Sequence, residues 1–247
     1  MPYVEDTYNL KHTIEIEKKH TGKYGAPGQK RRKKRKATKE EIQKQNQRNA
    51  EKKLRRIINA NFEPNDLHIV LTYKKDERLT PGESKKELRN FFERVRRAYR
   101  NYSTELKYIV CTEYENKAIH HHIIINDLVK GTMTTTKIIR QAWLRGRPKF
   151  TLLDDTGDYK DLAEYIIKET SETFRKEGNP NKTRYSCSRN LIRPIPERRI
   201  VTAKTFAKDP KPKKGYYIDK NSVYEGINPV TGFRYQYYTM VRINRRI

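Results

Sequence analysis

Residues 113–127 read EYENKAIHHHIIIND, so three of the six histidines stand side by side and run straight into three isoleucines. The β-branched run, bounded by Asn126 and Asp127, predicts a strand. Alternate side chains on a strand share a face, so His120 and His122 point one way and His121 the other. Two imidazoles at i, i+2 on one face make half of a metal site. Pairing residues 107–115 with 118–125 as a hairpin turning at Asn116-Lys117 sets Glu113 opposite His120 and Cys111 opposite His122. Directly opposed residues share a face with Cβ atoms about 4.5–5.5 Å apart. Glu113 then joins His120 and His122, with Glu115 the rival carboxylate. Two imidazoles and a carboxylate suit Mg²⁺ or Mn²⁺ at a phosphoryl-transfer centre. Zn²⁺ is the competing occupant, with Cys111 the one evident fourth ligand.

A second chemical feature is LAEYIIKE, residues 162–169. Tyr165 and Lys168 are i, i+3 on a predicted helix, so phenol and ammonium project from one side a turn apart. A tyrosine nucleophile must lose a proton whose ordinary pKa is about 10, and a neighbouring cation helps. The plainer reading makes Tyr165 a core aromatic of an amphipathic helix.

These residues need a frame. LHIVLTYK reads as a strand and PGESKKELRNFFERVRRAYRNY as a helix whose apolar stripe is Leu88, Phe91, Phe92, Val95 and Tyr99. LKYIVCTEYE and AIHHHIII are the next two strands, TTTKIIRQAWLRG a helix, KFTLLD a strand and YKDLAEYIIKETSETFRKEG a helix. The order β-α-β-β-α-β-α predicts an α+β domain over 65–180 with the ferredoxin-like split βαβ pattern, an antiparallel sheet carrying its helices on one face. Before it, residues 1–36 read as a disordered arm ending in a basic run. Residues 37–64 read as a largely exposed helix, with Thr38 and Glu41 forming a capping box. After it, 181–247 reads as a small β-rich segment of short strands and loops.

Lys plus Arg number 56 against 30 acidic residues, a formal charge of +26 over 247 residues. Such an excess points to a polyanion, nucleic acid before an anionic membrane surface, since no long apolar segment occurs. Two cysteines make no disulfide framework and fit a cytoplasmic setting. No GxxxxGK[ST] motif marks a nucleotide-driven motor.

HIVLTY, then His-x-His flanked by apolar residues, then Tyr-x-x-Lys resembles the three ordered motifs of HUH endonucleases, in particular rolling-circle replication initiators of the gene-II-like phage and plasmid type. The block TRYSCSRNLIRP at 183–194 is similar to one found in that group. The resemblance spans roughly residues 65–195. It implies His120, His122 and Glu113 as metal ligands, with Mg²⁺ or Mn²⁺ as cofactor. It implies Tyr165 as nucleophile with Lys168 beside it, a 5′-phosphotyrosine link and a free 3′-OH. His121 stands at a position usually hydrophobic. Positions 161 and 162 are Asp and Leu, so a single-tyrosine initiator is expected, with Tyr159 off the same face. Implied partners are single-stranded origin DNA and a host helicase and polymerase, in a bacterial host's cytoplasm. Expected DNA contacts are Arg31, Arg32, Lys33, Lys34, Arg35 and Lys36 in the arm, and Arg184, Tyr185 and Arg189 in the C-terminal segment. A mobilisation relaxase or transposase would share the chemistry, Tyr3 and Tyr8 being the N-terminal tyrosines available to a relaxase. A ferredoxin-like nucleic-acid-binding module is the non-enzymatic alternative; it lacks the RNA-recognition aromatic motif.

Overall fold

The computed structural model describes residues 2–20, 36–77, 79–114, 119–171, 183–203, 205–228 and 232–243. The chain divides into two compact units. The first joins residues 1–49, 156–158 and 193–247; the second joins 50–155 and 159–192.

The second unit is α+β, built on an antiparallel sheet. Its strands are β3 (Leu67–Thr72), β4 (Tyr108–Glu113), β5 (His120–Ile125), β8 (Pro148–Leu152) and β9 (Ser186–Cys187). Their spatial order is β8-β3-β5-β4-β9. Helix α2 (Pro81–Asn101) links β3 to β4, and a small hairpin of β6 (Val129–Lys130) and β7 (Met133–Thr134) leads into α3 (Thr135–Ala142) before β8. Helix α4 (Lys160–Glu169) follows. The expected elements therefore all form, in the expected order. A full capping box at Thr80 and Glu83 starts α2, and a proline stands in its first turn.

The two helices within the β-α-β-β-α-β succession, α2 and α3, share one face as the sequence reading expected, while α4 and α1 (Lys39–Asn61) cover the other. Phe91, Phe92, Val95 and Tyr99 of α2 and Ile138 and Ile139 of α3 pack on Leu67, Ile69, Leu71, Ile123 and Ile125. The opposite face carries Ile109, Cys111 and Ile124, covered by Ala163, Ile166 and Ile167 of α4 and by Leu54, Ile57 and Ile58 of α1. The reason is visible in β5, where Ile123, Ile124 and Ile125 are all buried. A strand apolar on both sides needs cover on both sides.

The N-terminal half of α1 is mostly exposed, Ile42 included, and starts at the expected box: Thr38 Oγ1 accepts from Glu41 N–H (3.2 Å) and Glu41 Oε2 accepts from Thr38 N–H (3.0 Å).

In the first unit the disordered-arm reading of 1–36 fails over its first twenty residues. They form a hairpin of β1 (Tyr3–Asn9) and β2 (Thr13–His20). Alternating Ile14 and Ile16 against Glu15 and Glu17 carries the period-two signal that the basic run downstream obscured. Arg31, Arg32, Lys33, Lys34 and Arg35 lie outside the described residues; Lys36 is exposed. The C-terminal segment makes short strands as expected, but it is not a separate body. Strand β9 completes the second unit's sheet. Strands β10 (Glu197–Val201), β11 (Tyr216–Ile218), β12 (Tyr224–Ile227) and β13 (Arg234–Arg242) join the N-terminal hairpin in the order β10-β1-β2-β13-β11, with β12 also on β13. Asp6, buried, binds Arg198 (2.6 and 2.9 Å) and Lys19 (2.9 Å), tying β10, β1 and β2 together.

Tyr99 locks α2 to the end of β5 and the start of α3: its hydroxyl donates to the Asn126 carbonyl (2.7 Å) and lies 2.9 Å from Thr135 Oγ1. Tyr99→Phe should lower stability by about 1–2 kcal/mol in urea denaturation with the far-UV spectrum unchanged, because a buried carbonyl loses its donor while the packing stays.

Candidate metal and tyrosine site

The β4–β5 register is the one the sequence demands: Glu113 faces His120, Thr112 faces His121 and Cys111 faces His122. The turn residues 115–118, and with them the rival Glu115, lie outside the described residues. Strand β3 flanks β5 on its other side, with Thr72 opposite His120 and Val70 opposite His122.

Glu113 is the hub. Its Oε2 lies 3.5 Å from His122 Nε2 and 4.0 Å from His120 Nδ1. Among the described residues no three such donors meet in metal-bonding geometry as they stand. Donors cis to one another around an octahedral cation of Mg²⁺ size are separated by about 3.0 Å, so these gaps must contract by about 0.5 and 1.0 Å. The donor chemistry fits that occupant. His122 is buried and its Nε2 has no hydrogen-bond partner among the described residues, an atom that a cation would satisfy. Burial, with His120 nearby and Glu169 opposing, pushes the His122 pKa down to about 4. The ring is therefore neutral at physiological pH, the form that ligates a metal.

His68 was missed by the sequence reading, although its strand HIVLTY was singled out. Its Nε2 is 3.4 Å from His122 Nδ1, and the two rings stack at 5.6 Å and 12°. Burial, His122 and Lys149 lower its pKa to about 4. The signal was the alternation of LHIVLT, which puts Leu67, Ile69 and Leu71 on one face and His68 on the other. What the sequence does not state is which strand lies beside which. Lys149 of β8, also unforeseen, pairs with Val70 and so shares this face.

His121 points the other way, as expected, and is wholly buried. Its Nδ1 is 2.9 Å from Thr112 Oγ1 and its Nε2 2.8 Å from the Tyr73 hydroxyl. Burial first, then its two histidine neighbours, push its pKa down to about 3. This histidine packs edge-on to Trp143 and belongs to the core.

Tyr165 stands against the cluster on the helix-α4 side, its ring centroid 5.5 Å from that of His122 and 6.3 Å from that of His68. It is 44% exposed, so it is not a core aromatic. Burial, then Glu169 and Glu113, raise its phenol above the ordinary range. Lys168 is exposed one turn on. Tyr159 is buried instead, its hydroxyl 3.5 Å from the Asp154 carbonyl. Burial pushes the Cys111 thiol up, leaving it protonated and a poor fourth ligand for zinc. Tyr3 is buried against Phe206 within the first unit, and Arg189 is exposed in the second.

The three consecutive histidines should part company under mutation. His122→Ala should weaken Mn²⁺ binding, followed by EPR titration, at least about tenfold at little cost to folding. His121→Leu should leave Mn²⁺ affinity close to the parent's and lower stability by about 1–3 kcal/mol, since two half-buried hydroxyls lose a partner.

Residues 66–173 match the family model described as replication-associated protein ORF2/G2P, the stretch that carries β3 through α4 and every residue of this cluster. No curated protein and no solved structure matches the chain. No helix among the described residues is long and apolar enough to cross a membrane. The family match supports a replication initiator of the Rep type.

Proposed function

We propose that this chain starts rolling-circle replication by nicking single-stranded origin DNA through Tyr165, as an HUH endonuclease. The observation that carries the reading is the convergence of Glu113, His120 and His122 on one sheet face with Tyr165 packed on His122, inside the segment that matches a replication-associated family. The succession β3-α2-β4-β5-α3-β8 with spatial order β8-β3-β5-β4 is what a ferredoxin-like split βαβ core requires, and it supports the same conclusion.

In this reading the Tyr165 oxygen attacks the scissile phosphorus in line. The bond from phosphorus to the 3′ oxygen breaks, and that oxygen takes up a proton as the phenol gives one up. One phosphodiester replaces another, leaving a 5′-phosphotyrosine and a free 3′-OH that can prime synthesis. Mg²⁺ or Mn²⁺ held by His120, His122 and Glu113 would supply positive charge to a non-bridging phosphate oxygen. Burial first, then Glu169 and Glu113, hold the phenol proton on. Lys168, one turn on from Tyr165, and Lys149 on the same sheet face would supply positive charge to the bound phosphate. His68, stacked on His122, keeps the ring's plane and its Nδ1 engaged so that Nε2 faces Glu113. A relaxase or transposase would use the same atoms. The +26 charge fits a DNA partner, and a host helicase and polymerase complete the proposed reaction sequence, since unwinding and extension need machinery of their own.

Tyr165→Phe removes one oxygen from a half-exposed ring. The variant should fold, bind Mn²⁺ and bind labelled single-stranded DNA as the parent does, yet form no covalent adduct on a denaturing gel. Peptide mapping of the parent's adduct should find the nucleotide on LAEYIIK. An active Phe variant, or a nucleotide on Tyr159, would refute the assignment. A parent that binds DNA but never forms an adduct would favour the binding-module alternative.

A further inference from the structure

On the opposite face of the same sheet from the histidine–glutamate cluster, α2, β4 and residues 183–186 enclose a cavity of about 250 Å³. The faces are opposite because β4 alternates: Glu113 and Cys111 turn to the α4 side, while Thr112, Val110 and Tyr108 turn to the α2 side and line the cavity. One wall is planar and apolar, with Tyr108 stacked on Phe92 at 3.9 Å and 19°.

The rim is cationic. Arg89 and Arg96 lie seven residues apart on α2, two turns along one side of the helix. Neither side chain makes a hydrogen bond or ion pair among the described residues. Their neighbour Arg94 shows what a structural arginine does on this helix: it binds Glu87 at 2.7 Å and the Ala142 carbonyl at 2.9 Å. Lys85 and Arg184 add positive charge to the lining, and Glu93 is its one carboxylate. Hydroxyls of Thr112 and Ser186 also line it, that of Thr112 shared with His121 Nδ1 at 2.9 Å. An aromatic wall, the guanidiniums of Arg89 and Arg96, and hydroxyls in so small a volume suit a base on a sugar phosphate.

We propose that this cavity holds one nucleotide of the single-stranded DNA, its phosphate on Arg89 and Arg96 and its base against the Tyr108–Phe92 wall. The proposal rests on the reading of this unit as a single-strand nuclease, and it adds a grip on the strand away from the scissile bond. The test uses the full chain carrying Tyr165→Phe, with and without Arg89→Gln and Arg96→Gln, and a fluorescent oligonucleotide containing 5-iodouracil. Anisotropy titrations over a salt series should show about tenfold weaker binding in the double-glutamine variant. The log–log salt slope should be smaller by about 0.7 for each phosphate that the variant no longer neutralises. Ultraviolet crosslinks should map to the peptides bearing Tyr108 or Tyr185 and fade in the variant. A parallel arm adds thymidine monophosphate: binding of the mononucleotide that depends on both arginines, with oligonucleotide affinity unchanged, assigns the cavity to a free nucleotide instead of the strand. Unchanged affinity and slope, no crosslink there and no mononucleotide binding overturn the proposal while the nuclease reading stands. A parent that fails to bind the oligonucleotide at all overturns both.

Discussion

The antiparallel pairing of β4 with β5 is the constraint on which the rest depends. It brings Glu113, His120 and His122 together from residues that are neither adjacent nor on one element. A slip of one residue would swap faces for a whole strand, sending His120 and His122 into the α2 core and His121 toward Tyr165. That slip is opposed by His121, which is bound at both ring nitrogens, by Thr112 on β4 and by Tyr73 just after β3. The middle histidine thus fastens three neighbouring parts of the chain while its neighbours remain available for ligands.

The two faces of the sheet divide the work between them. On the α2 side the core closes around Tyr99, Trp143 and Phe91, large side chains with almost no exposure. On the α4 side the same strands carry apolar residues as far as Cys111 and Ile124, and then the histidine cluster where the cover ends. Desolvation there keeps His68 and His122 neutral without a hydrogen-bonding carboxylate at every nitrogen. The orphaned Nε2 of His122 is an unfavourable atom in a structural site and a useful one in a binding site.

Much of this was legible in the sequence because it is local. Element order, the α2 stripe, the Thr38–Glu41 cap and the β4–β5 register all follow from period and turn chemistry, and so does the separation of His121 from its neighbours. That Tyr165 and Tyr159 lie on different sides of the helix, one exposed and one buried, followed from helix spacing. What escaped depends on which strands are neighbours. His68 and Lys149 reach the site only because β3 lies beside β5 and β8 beside β3, and no window of sequence records that. The helices on both faces were written in the Ile123–Ile125 run, whose lack of alternation was the clue. The hairpin at residues 3–20 was hidden by averaging it with the basic stretch that follows.

The first unit's sheet is closed by strands from distant parts of the chain, with Ile14 of β2 facing Met240 of β13 and Val4 of β1 facing Ile200 of β10. During synthesis every strand of the site-bearing sheet leaves the ribosome before β13 exists. The β1–β2 hairpin is made first, yet it must wait with both edges open until its partners arrive. Closing so long a loop adds little to the equilibrium cost, because loop entropy grows only logarithmically, but it slows the search. Until then Glu5 and Asp6 of β1 have only Lys18 and Lys19 of their own hairpin for partners, and Arg198 and Arg199 reach them when β10 arrives.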